Sequence, residues 1–297
     1  MPVTPPVVVD ATSLTPSKFG LITAATVTPE ASPRQWVGTH YEVNPGGPAQ
    51  VDPNECLNDT PVARDPLDDG IAYEDSLSVV LFGGFTCKSV GLTEAELGER
   101  ASRALINGES PGLEAAAWNY FLGEAPFVDA DVQELVVLPT AESLVEAVAM
   151  LEEVAYAEYG GTPVIHAPRG VAAYAARYHQ ARRESTYLET VLGSRWSFGN
   201  YPKIGPNDAA GTWLVVTGQV DIRRGSIVTR GGDWRSGLDR TTNDVYSLAQ
   251  RPYSVQVDGF RAAIQVTSLS GAESSGQFEA FAEDPPGSGL YVIPDGV

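Results

Sequence analysis

Two stretches of the chain place apolar residues at helical spacing. In "TAESLVEAVAMLEEVAYAEYGG" (140–161), Leu144, Val148, Leu151 and Ala155 fall on one face, and Gly160 ends the pattern. This is the clearest amphipathic pattern in the sequence, and it predicts a helix over 140–159.

The second helical stretch, 93–122, begins with "TEAELGERASRALIN". Thr93 and Glu96 form the pattern of a capping box, in which each side chain binds the backbone of the other residue. Asn107-Gly108 breaks the periodicity, and Ser110-Pro111 is typical of a cap followed by a first helical position. We therefore expect a long helix that is interrupted near Ser110.

Short apolar runs between turn residues predict strands. The runs are "SLSVVLFGGF" (76–85), "ELVVLP" (134–139), "TPVIHAP" (162–168), "TWLVVTGQVDIRR" (212–224), "SIVTR" (226–230) and "YSVQVDGFRAAIQVTS" (253–268), the last as a strand pair around Asp258-Gly259. A helix is expected from Pro168 to about His179, with Pro168 at its start. Helices and strands occur in blocks without regular alternation, which indicates an α+β fold.

Residues 1–60 contain few periodic segments and nine prolines, at 2, 5, 6, 16, 29, 33, 45, 48 and 53. Proline is unfavourable in helix interiors and central strands, so this region is predicted to be an extended arm that lies on something else. The first residues lack the basic start and apolar run of a signal peptide, which favours a cytosolic origin.

The chain carries a net charge of -19, unevenly distributed. Residues 1–160 have 25 Asp/Glu and 6 Lys/Arg, residues 161–270 have 8 and 13, and residues 271–297 have 5 and none. This balance argues against ordinary nucleic-acid binding, which requires a basic surface. It leaves two interpretations open: one solvated acidic face, or opposite charges that attract neighbouring copies.

Candidate chemistry is sparse. "GESPG" (108–112) matches a hydrolase nucleophile motif, but it follows a helix and Pro111 lacks the N–H that an oxyanion would need, so Ser110 is predicted to be a helix cap. His166 is predicted to lie at a strand end and to hydrogen-bond locally instead of acting as a general base, because no nucleophile or carboxylate stands beside it in a recognisable pattern. Cofactor, nucleotide and zinc motifs are absent, and Cys56 and Cys87 are interpreted as free thiols.

The order of elements resembles a known family. The segments "TPVIHAPRGVAAYAAR", "YLETVLGSRWSFGNYP", "GTWLVVTGQVDIRRGSIV" and "SLAQRPYSVQVDGFRAAIQV", after an arm, a strand and a long helix, are similar to the major capsid protein of tailed bacteriophages with the HK97 fold, in the form found in phages of actinobacteria. The resemblance covers about residues 30–267 and depends on patterns of strand, helix and glycine, without a catalytic motif.

The resemblance implies a division of the chain into named parts. These are an N-terminal arm (1–35), an E-loop region (36–80), a peripheral domain (81–134) with a spine helix (93–122), an axial domain (135–244), return strands of the peripheral domain (245–269) and a C-terminal tail (270–297). It implies a non-enzymatic protein that assembles with itself as pentamers and hexamers into an icosahedral head around double-stranded DNA, without sequence-specific binding and without a membrane.

The implied partners are further copies of the chain, a portal, and a scaffold or decoration protein, in a virion assembled in the bacterial cytoplasm. The candidates for contacts between subunits are Arg169, Arg182, Arg183, Arg223, Arg224, Arg230 and Arg235. Some relatives join neighbours by a lysine–asparagine bond from the E-loop. Here the lysines are Lys18, Lys88 and Lys203, none of them in 36–80, so no such cross-link is expected.

Three alternatives are weaker. An encapsulin-like nanocompartment shell would have the same fold, but its N-terminal cargo-binding helix conflicts with Pro2, Pro5, Pro6 and Pro16. An accessory virion protein of the all-β class conflicts with the strong helical pattern at 140–159. An enzyme would need an unfamiliar site near His166.

Overall fold

The computed structural model describes residues 12, 14–32, 37–44, 47, 72–88, 92–123, 135–231 and 237–270. Within these ranges four α-helices form, α1 (Leu21–Ala24), α2 (Glu94–Phe121), α3 (Leu144–Glu158) and α4 (Val171–Arg177), together with a short 3-10 helix at Pro206–Asp208. None of the helices in these ranges has the length and apolar character needed to cross a bilayer.

Strands dominate the rest of the described chain. They are β1 (Thr26–Pro29), β2 (His40–Glu42), β3 (Tyr73–Asp75), β4 (Leu77–Lys88), β5 (Val136–Val137), β6 (Ala141–Ser143), β7 (Val164–Pro168), β8 (Arg182–Glu184), β9 (Tyr187–Glu189), β10 (Arg195–Gly199), β11 (Thr212–Thr217), β12 (Val220–Arg224), β13 (Val228–Gly231), β14 (Leu238–Asp239), β15 (Asp244–Val257) and β16 (Arg261–Ser268). The predicted α+β class is confirmed.

The long strands β4 and β15 form the centre of a six-stranded sheet. They pair antiparallel along twelve residues, from Leu77 opposite Val255 to Lys88 opposite Asp244. On its other side β15 pairs with β12, β13 and β14, and β1 adds a parallel strand to β12. β4 runs across residue 80, where the sequence placed the boundary between the E-loop region and the peripheral domain.

The interruption that the sequence predicted in α2 does not occur. The helix is continuous for 28 residues with Pro111 inside it, so Ser110 is a mid-helix residue and does not act as a cap. The capping box is confirmed: the Glu96 amide donates to the Thr93 hydroxyl, and the Thr93 amide donates to the Glu96 carboxylate. Proline removes one backbone hydrogen bond, but packing of Leu105 and Leu113 in the core on either side keeps the helix intact.

The second sheet has eight strands, in the order β5-β16-β11-β7-β10-β9-β8, with β6 also on β16. α3 covers one face with the predicted residues Leu144, Val148, Leu151 and Ala155, all of them buried. Gly160 follows the helix with φ +71, as the sequence predicted for its end. The C-terminal end of α2 covers the opposite face, where Trp118 and Phe121 join the core formed with β7 and β11.

The strand pair predicted around Asp258-Gly259 does not form. β15 belongs to the six-stranded sheet, whereas β16 pairs with β11, β5 and β6 in the eight-stranded sheet. The chain crosses from one sheet to the other at two neighbouring points, after β11 and after β15. These two crossings are hydrogen-bonded to each other: the Gly218 amide donates to the Phe260 carbonyl and the Asp258 amide donates to the Gln219 carbonyl, each over 2.9 Å. Local pattern identifies a strand but does not select its partner, which depends on packing.

The predicted start of the fourth helix is also wrong. Pro168 is the last residue of β7, and α4 begins at Val171 after Gly170. The proline is paired within the sheet opposite Gly199, so it closes a strand instead of opening the helix.

Candidate functional site

A small hairpin holds the ends of the predicted E-loop together. β2 pairs antiparallel with β3, with His40 opposite Asp75 and Glu42 opposite Tyr73. The Val43 amide donates to the Ala72 carbonyl over 3.0 Å. The two segments that lead into and out of the middle of the predicted E-loop are therefore still hydrogen-bonded to each other just beyond the hairpin. Residues 45, 46 and 48–71, the middle of the predicted E-loop, lie outside the described residues.

A buried network attaches this hairpin to the core. The Tyr41 hydroxyl donates to the Val257 carbonyl over 2.7 Å and lies 3.0 Å from the Tyr120 hydroxyl of α2. Glu74 accepts from Arg261 over 2.9 Å, and the Arg261 guanidinium carbon lies 5.0 Å from the centre of the Tyr120 ring. Hairpin, long helix and both sheets therefore meet at one cluster.

Burial shapes the electrostatics of this cluster. It raises the pKa of Tyr41 far above its ordinary value, and the nearby Tyr120 and Glu74 raise it further. Burial also raises the pKa of Tyr120. Both phenols thus stay protonated as hydrogen-bond donors, and the cluster contains one carboxylate and one guanidinium that neutralise each other.

Part of the predicted N-terminal arm is docked on α2 through Glu114. The carboxylate of Glu114 accepts from the Leu21 amide at 3.2 Å and from the Asn200 amide at 2.7 Å. Burial raises the pKa of Glu114, while these backbone donors and Ser110 counteract the shift. Leu21 and Ala24 of α1 are buried in the core. Residues 21–29 of the predicted arm are therefore bound to their own chain.

Two arginines complete this attachment by binding backbone carbonyls. Arg169 donates to Lys18 at 3.2 Å and to Phe198 at 3.3 Å, and Arg195 donates to Ala24 at 3.2 Å. Arg169 was predicted to contact neighbouring subunits, and its exposed side chain also donates at least two hydrogen bonds within its own chain.

The middle of α2 carries a second buried carboxylate, Glu109. Arg224 of β12 binds both carboxylate oxygens, at 3.1 and 2.6 Å, and Arg251 of β15 donates to Oε1, which also accepts from Arg224. This three-residue cluster links the helix to two strands of the six-stranded sheet. Arg224, predicted as a contact between subunits, is engaged inside its own chain.

The remaining arginine candidates are spread over the surface. Arg182 pairs with Glu189 over 2.8 Å, and Arg183 beside it is exposed and donates to Ser185. Arg223 lies 3.6 Å from Glu30. The described candidates do not converge on one site; Arg230 lies on β13 and Arg235 lies outside the described residues.

His166 lies in the middle of β7, fully buried, and not at a strand end. Its ring nitrogens lie 3.2 Å from the Tyr201 hydroxyl and 3.0 Å from the Thr217 hydroxyl, and its ring stacks on Phe121 at 4.1 Å. Burial lowers the pKa of His166 to about 3. The residue is a neutral part of the core between the eight-stranded sheet and α2.

Metal-ligating chemistry is not found in the part of the chain that the structure describes: no three His, Cys, Asp or Glu side chains cluster there. Cys87 is a free thiol on β4, and Cys56 lies outside the described residues.

The sequence reasoning missed Glu74, Glu109, Glu114 and Arg261, the charged residues that connect the sheets to α2. A signal existed for one of them. Glu114 lies between Leu113 and the apolar run Ala115–Trp118 in a predicted long helix, where a charged residue is buried only with a partner. The partners lie more than eighty positions away, so their identity could not be read from spacing.

Comparison with known proteins gives a result at the level of fold. No protein-family model matches the chain, and no curated protein does. Among solved structures, the capsid of a native GTA particle is similar, with 11% identity, a TM-score of 0.52, and coverage of 90% of this chain and 96% of that one.

Two further similar structures have TM-scores just below 0.5. One is from Mycobacterium phage Adephagia, with 13% identity, a TM-score of 0.49, and coverage of 88% and 96% of the two chains. The other is the holo-SrpI encapsulin complex from Synechococcus elongatus PCC 7942, with 14% identity, a TM-score of 0.48, and coverage of 88% and 94%.

The similarity to the GTA capsid covers nine tenths of this chain, at a TM-score above 0.5. The chain therefore has the HK97-like fold of capsid proteins.

Proposed function

We propose that this protein is a major capsid protein that assembles with itself into a shell. The observation that supports it most is the shared fold with a capsid over 90% of the chain. In this proposal α2 is the spine helix, the six-stranded sheet is the peripheral domain, and the eight-stranded sheet with α3 and α4 is the axial domain. This assignment differs from the boundary expected at residues 244 and 245, because it places β12, β13 and β14 in the peripheral domain and β16 in the axial domain.

The finer proposal is an icosahedral phage head of pentamers and hexamers that encloses double-stranded DNA. The net charge of -19 supports enclosure without tight adsorption, because an acidic inner wall repels DNA. A portal and a scaffold or decoration protein would be further partners. The virion would be its location, after assembly in the host cytoplasm.

We also propose that the protein is not an enzyme. The support is the state of His166: it is neutral, fully buried and hydrogen-bonded to two hydroxyls within the core. A general base must reach a substrate, and this imidazole is enclosed by the sheet and α2.

Negative-stain electron microscopy with size-exclusion chromatography tests the proposal. The matched control replaces residues 45–71 by a short Gly-Asn-Gly turn. Because Val43 and Ala72 are already hydrogen-bonded, this deletion leaves β2 and β3 paired. We expect shells from the whole chain and a folded, unassembled protein from the control.

The outcomes separate the alternatives. Shells with nuclease-protected DNA in infected cells support the phage head, and shells filled with a protein cargo support an encapsulin-like compartment instead. A whole chain that stays monomeric with its relevant scaffold protein present would contradict the proposal, as would a deletion variant that still forms shells through the same contacts.

A further inference from the structure

An apolar groove of about 420 Å³ runs between α3 and the turn that follows β9. Val145, Ala149 and Tyr156 line it from the helix, and Val191 and Leu192 line it from the turn. Tyr156 is 84% exposed, Leu192 78% and Val191 69%. Large apolar side chains grouped in this way usually mark a binding surface.

The groove is held open by the structure around it. The hydroxyls of Thr190 and Ser194 donate to the two carboxylate oxygens of Glu152, over 2.5 and 2.6 Å. The Thr190 amide also donates to the Ser194 carbonyl over 2.8 Å. The turn is thereby fixed to α3, and Val191 and Leu192 are exposed on a rigid support.

The described chain ends next to residues that adjoin this groove. Ser268 of β16 pairs with Ser143, the cap of α3, two residues before Val145. The Tyr178 hydroxyl donates to the Ser270 carbonyl, and the Tyr178 carbonyl accepts from Gln180, which also lines the groove. The last described residue, Ser270, therefore lies close to the binding surface.

The sequence after Ser270 divides by charge. Residues 271–284 contain Glu273, Glu279, Glu283 and Asp284, whereas 285–294, "PPGSGLYVIP", contain no charged residue. Glu152 and Glu153 make the groove rim acidic. Repulsion between the acidic rim and the acidic residues of 271–284 disfavours binding of that segment in the groove. The apolar "LYVI" at 290–293 matches the apolar lining of the groove.

The length of chain also fits. Val145 to Tyr156 spans about 17 Å at 1.5 Å per helical residue. The twenty residues from Ser270 to Leu290 reach several times that distance at about 3.3 Å per extended residue. A segment tethered so close to its site has an effective concentration of about millimolar.

We propose that residues 290–293 of the tail bind in the groove between α3 and the Val191–Leu192 turn of the same chain. Leu290, Val292 and Ile293 supply the apolar side chains that cover Tyr156, Val191 and Leu192. The contact goes beyond assembly and does not depend on it, because both partners belong to one chain.

Cysteine cross-linking tests this contact in the full chain. Cys56 and Cys87 are first replaced by serine, and Tyr156→Cys is combined with Ile293→Cys. At micromolar protein with oxidised glutathione, we expect a disulfide within one chain to exceed one between chains by roughly a hundredfold or more, as the effective concentration requires. Mixing isotope-labelled and unlabelled chains distinguishes the two products by mass.

Two matched controls define specificity. Ala157→Cys, exposed on the neighbouring face of α3, should cross-link to Ile293→Cys several-fold less. Leu290→Ser with Val292→Ser should lower the yield of the Tyr156→Cys pair several-fold.

Three results would overturn the proposal. Equal yields at positions 156 and 157, or none, mean that the tail does not bind there. Preference for Phe278→Cys over Ile293→Cys identifies the wrong segment, and a dominant disulfide between chains identifies a second copy as the occupant. Shell formation is scored separately by microscopy, so loss of assembly with an intact intrachain cross-link contradicts the proposed function and not this contact.

Discussion

The guanidinium of Arg261 lies 2.9 Å from the carboxylate of Glu74, and both side chains are almost fully buried. Arg261 opens β16 of the eight-stranded sheet, whereas Glu74 belongs to the hairpin that holds the E-loop ends. This ion pair is the point at which the orientation of the hairpin is coupled to the core.

Removing one member of this pair should destabilise the protein strongly. Arg261→Met leaves the Glu74 carboxylate buried without its partner, and we expect a loss of about 3–5 kcal/mol in the free energy of unfolding. The double variant with Glu74→Gln should lose less than the sum of the two single variants. Urea denaturation of the unassembled chain measures all four proteins, and additive effects would show that the pair is not coupled.

Removing the charge of Glu109 should destabilise the protein more than removing the charge of an exposed glutamate on the same helix. Glu109→Gln leaves Arg224 and Arg251 without their shared carboxylate, and we expect a loss of a few kcal/mol, as for a broken buried pair. Glu99→Gln removes only the exposed pair with Arg103 and should change stability little. Equal thermal shifts for the two variants would contradict the assigned role of the cluster.

His166 should make stability fall on acidification. Its pKa is about 3 in the folded protein and 6.5 when unperturbed, so the unfolded chain binds the extra proton between these values. The contribution is complete above pH 6.5 and is lost as the pH falls towards 3, with a slope of at most about 1.4 kcal/mol per unit.

Urea titrations of the wild type and His166→Gln between pH 7 and 4 isolate this term, because other groups titrate in both. The wild type should lose more stability than the variant. Glu114, whose pKa is raised by burial, acts in the opposite sense, since protonation removes a buried charge. An identical pH dependence of the two proteins would exclude His166 as the source.

Because β4 approaches α2 closely at Gly83, alanine substitutions at the adjacent residues Gly83 and Gly84 should have different effects on stability. A β-carbon at Gly83 would lie 2.4 Å from the backbone nitrogen of Leu105, whereas one at Gly84 would meet no atom nearer than 3.9 Å. Gly83→Ala should therefore destabilise by about 1–3 kcal/mol through overpacking. Gly84→Ala should be nearly neutral, and the reverse order of melting temperatures would refute the strand–helix contact.

The chain should assemble without a lysine-mediated covalent bond. Lys88 is the lysine nearest the predicted E-loop, and it pairs within the sheet opposite Asp244. Assembled particles boiled in denaturant should run as a single monomer band. A ladder that disappears in Lys88→Arg would show that the cross-link exists.

The local sequence pattern was sufficient to predict elements whose stabilising contacts join residues close together in the chain. α3 has its apolar stripe, its stop at Gly160 and a strong helical period, and the structure matches each. The capping box of α2 was readable for the same reason, because its two partners are three residues apart.

Contacts between residues far apart in the chain could be identified only from the tertiary structure. Pro111 and Ser110 predicted a break, yet α2 continues because its buried residues pack on both sheets. β15 and β16 predicted a hairpin, yet they separate because each completes a different sheet. The sequence by itself determined the α+β class, the resemblance to capsid proteins and the main helices, whereas long-range packing decided strand pairing and the buried partners of Glu74, Glu109 and Glu114. Nearest-neighbour spacing contains no information about those long-range contacts.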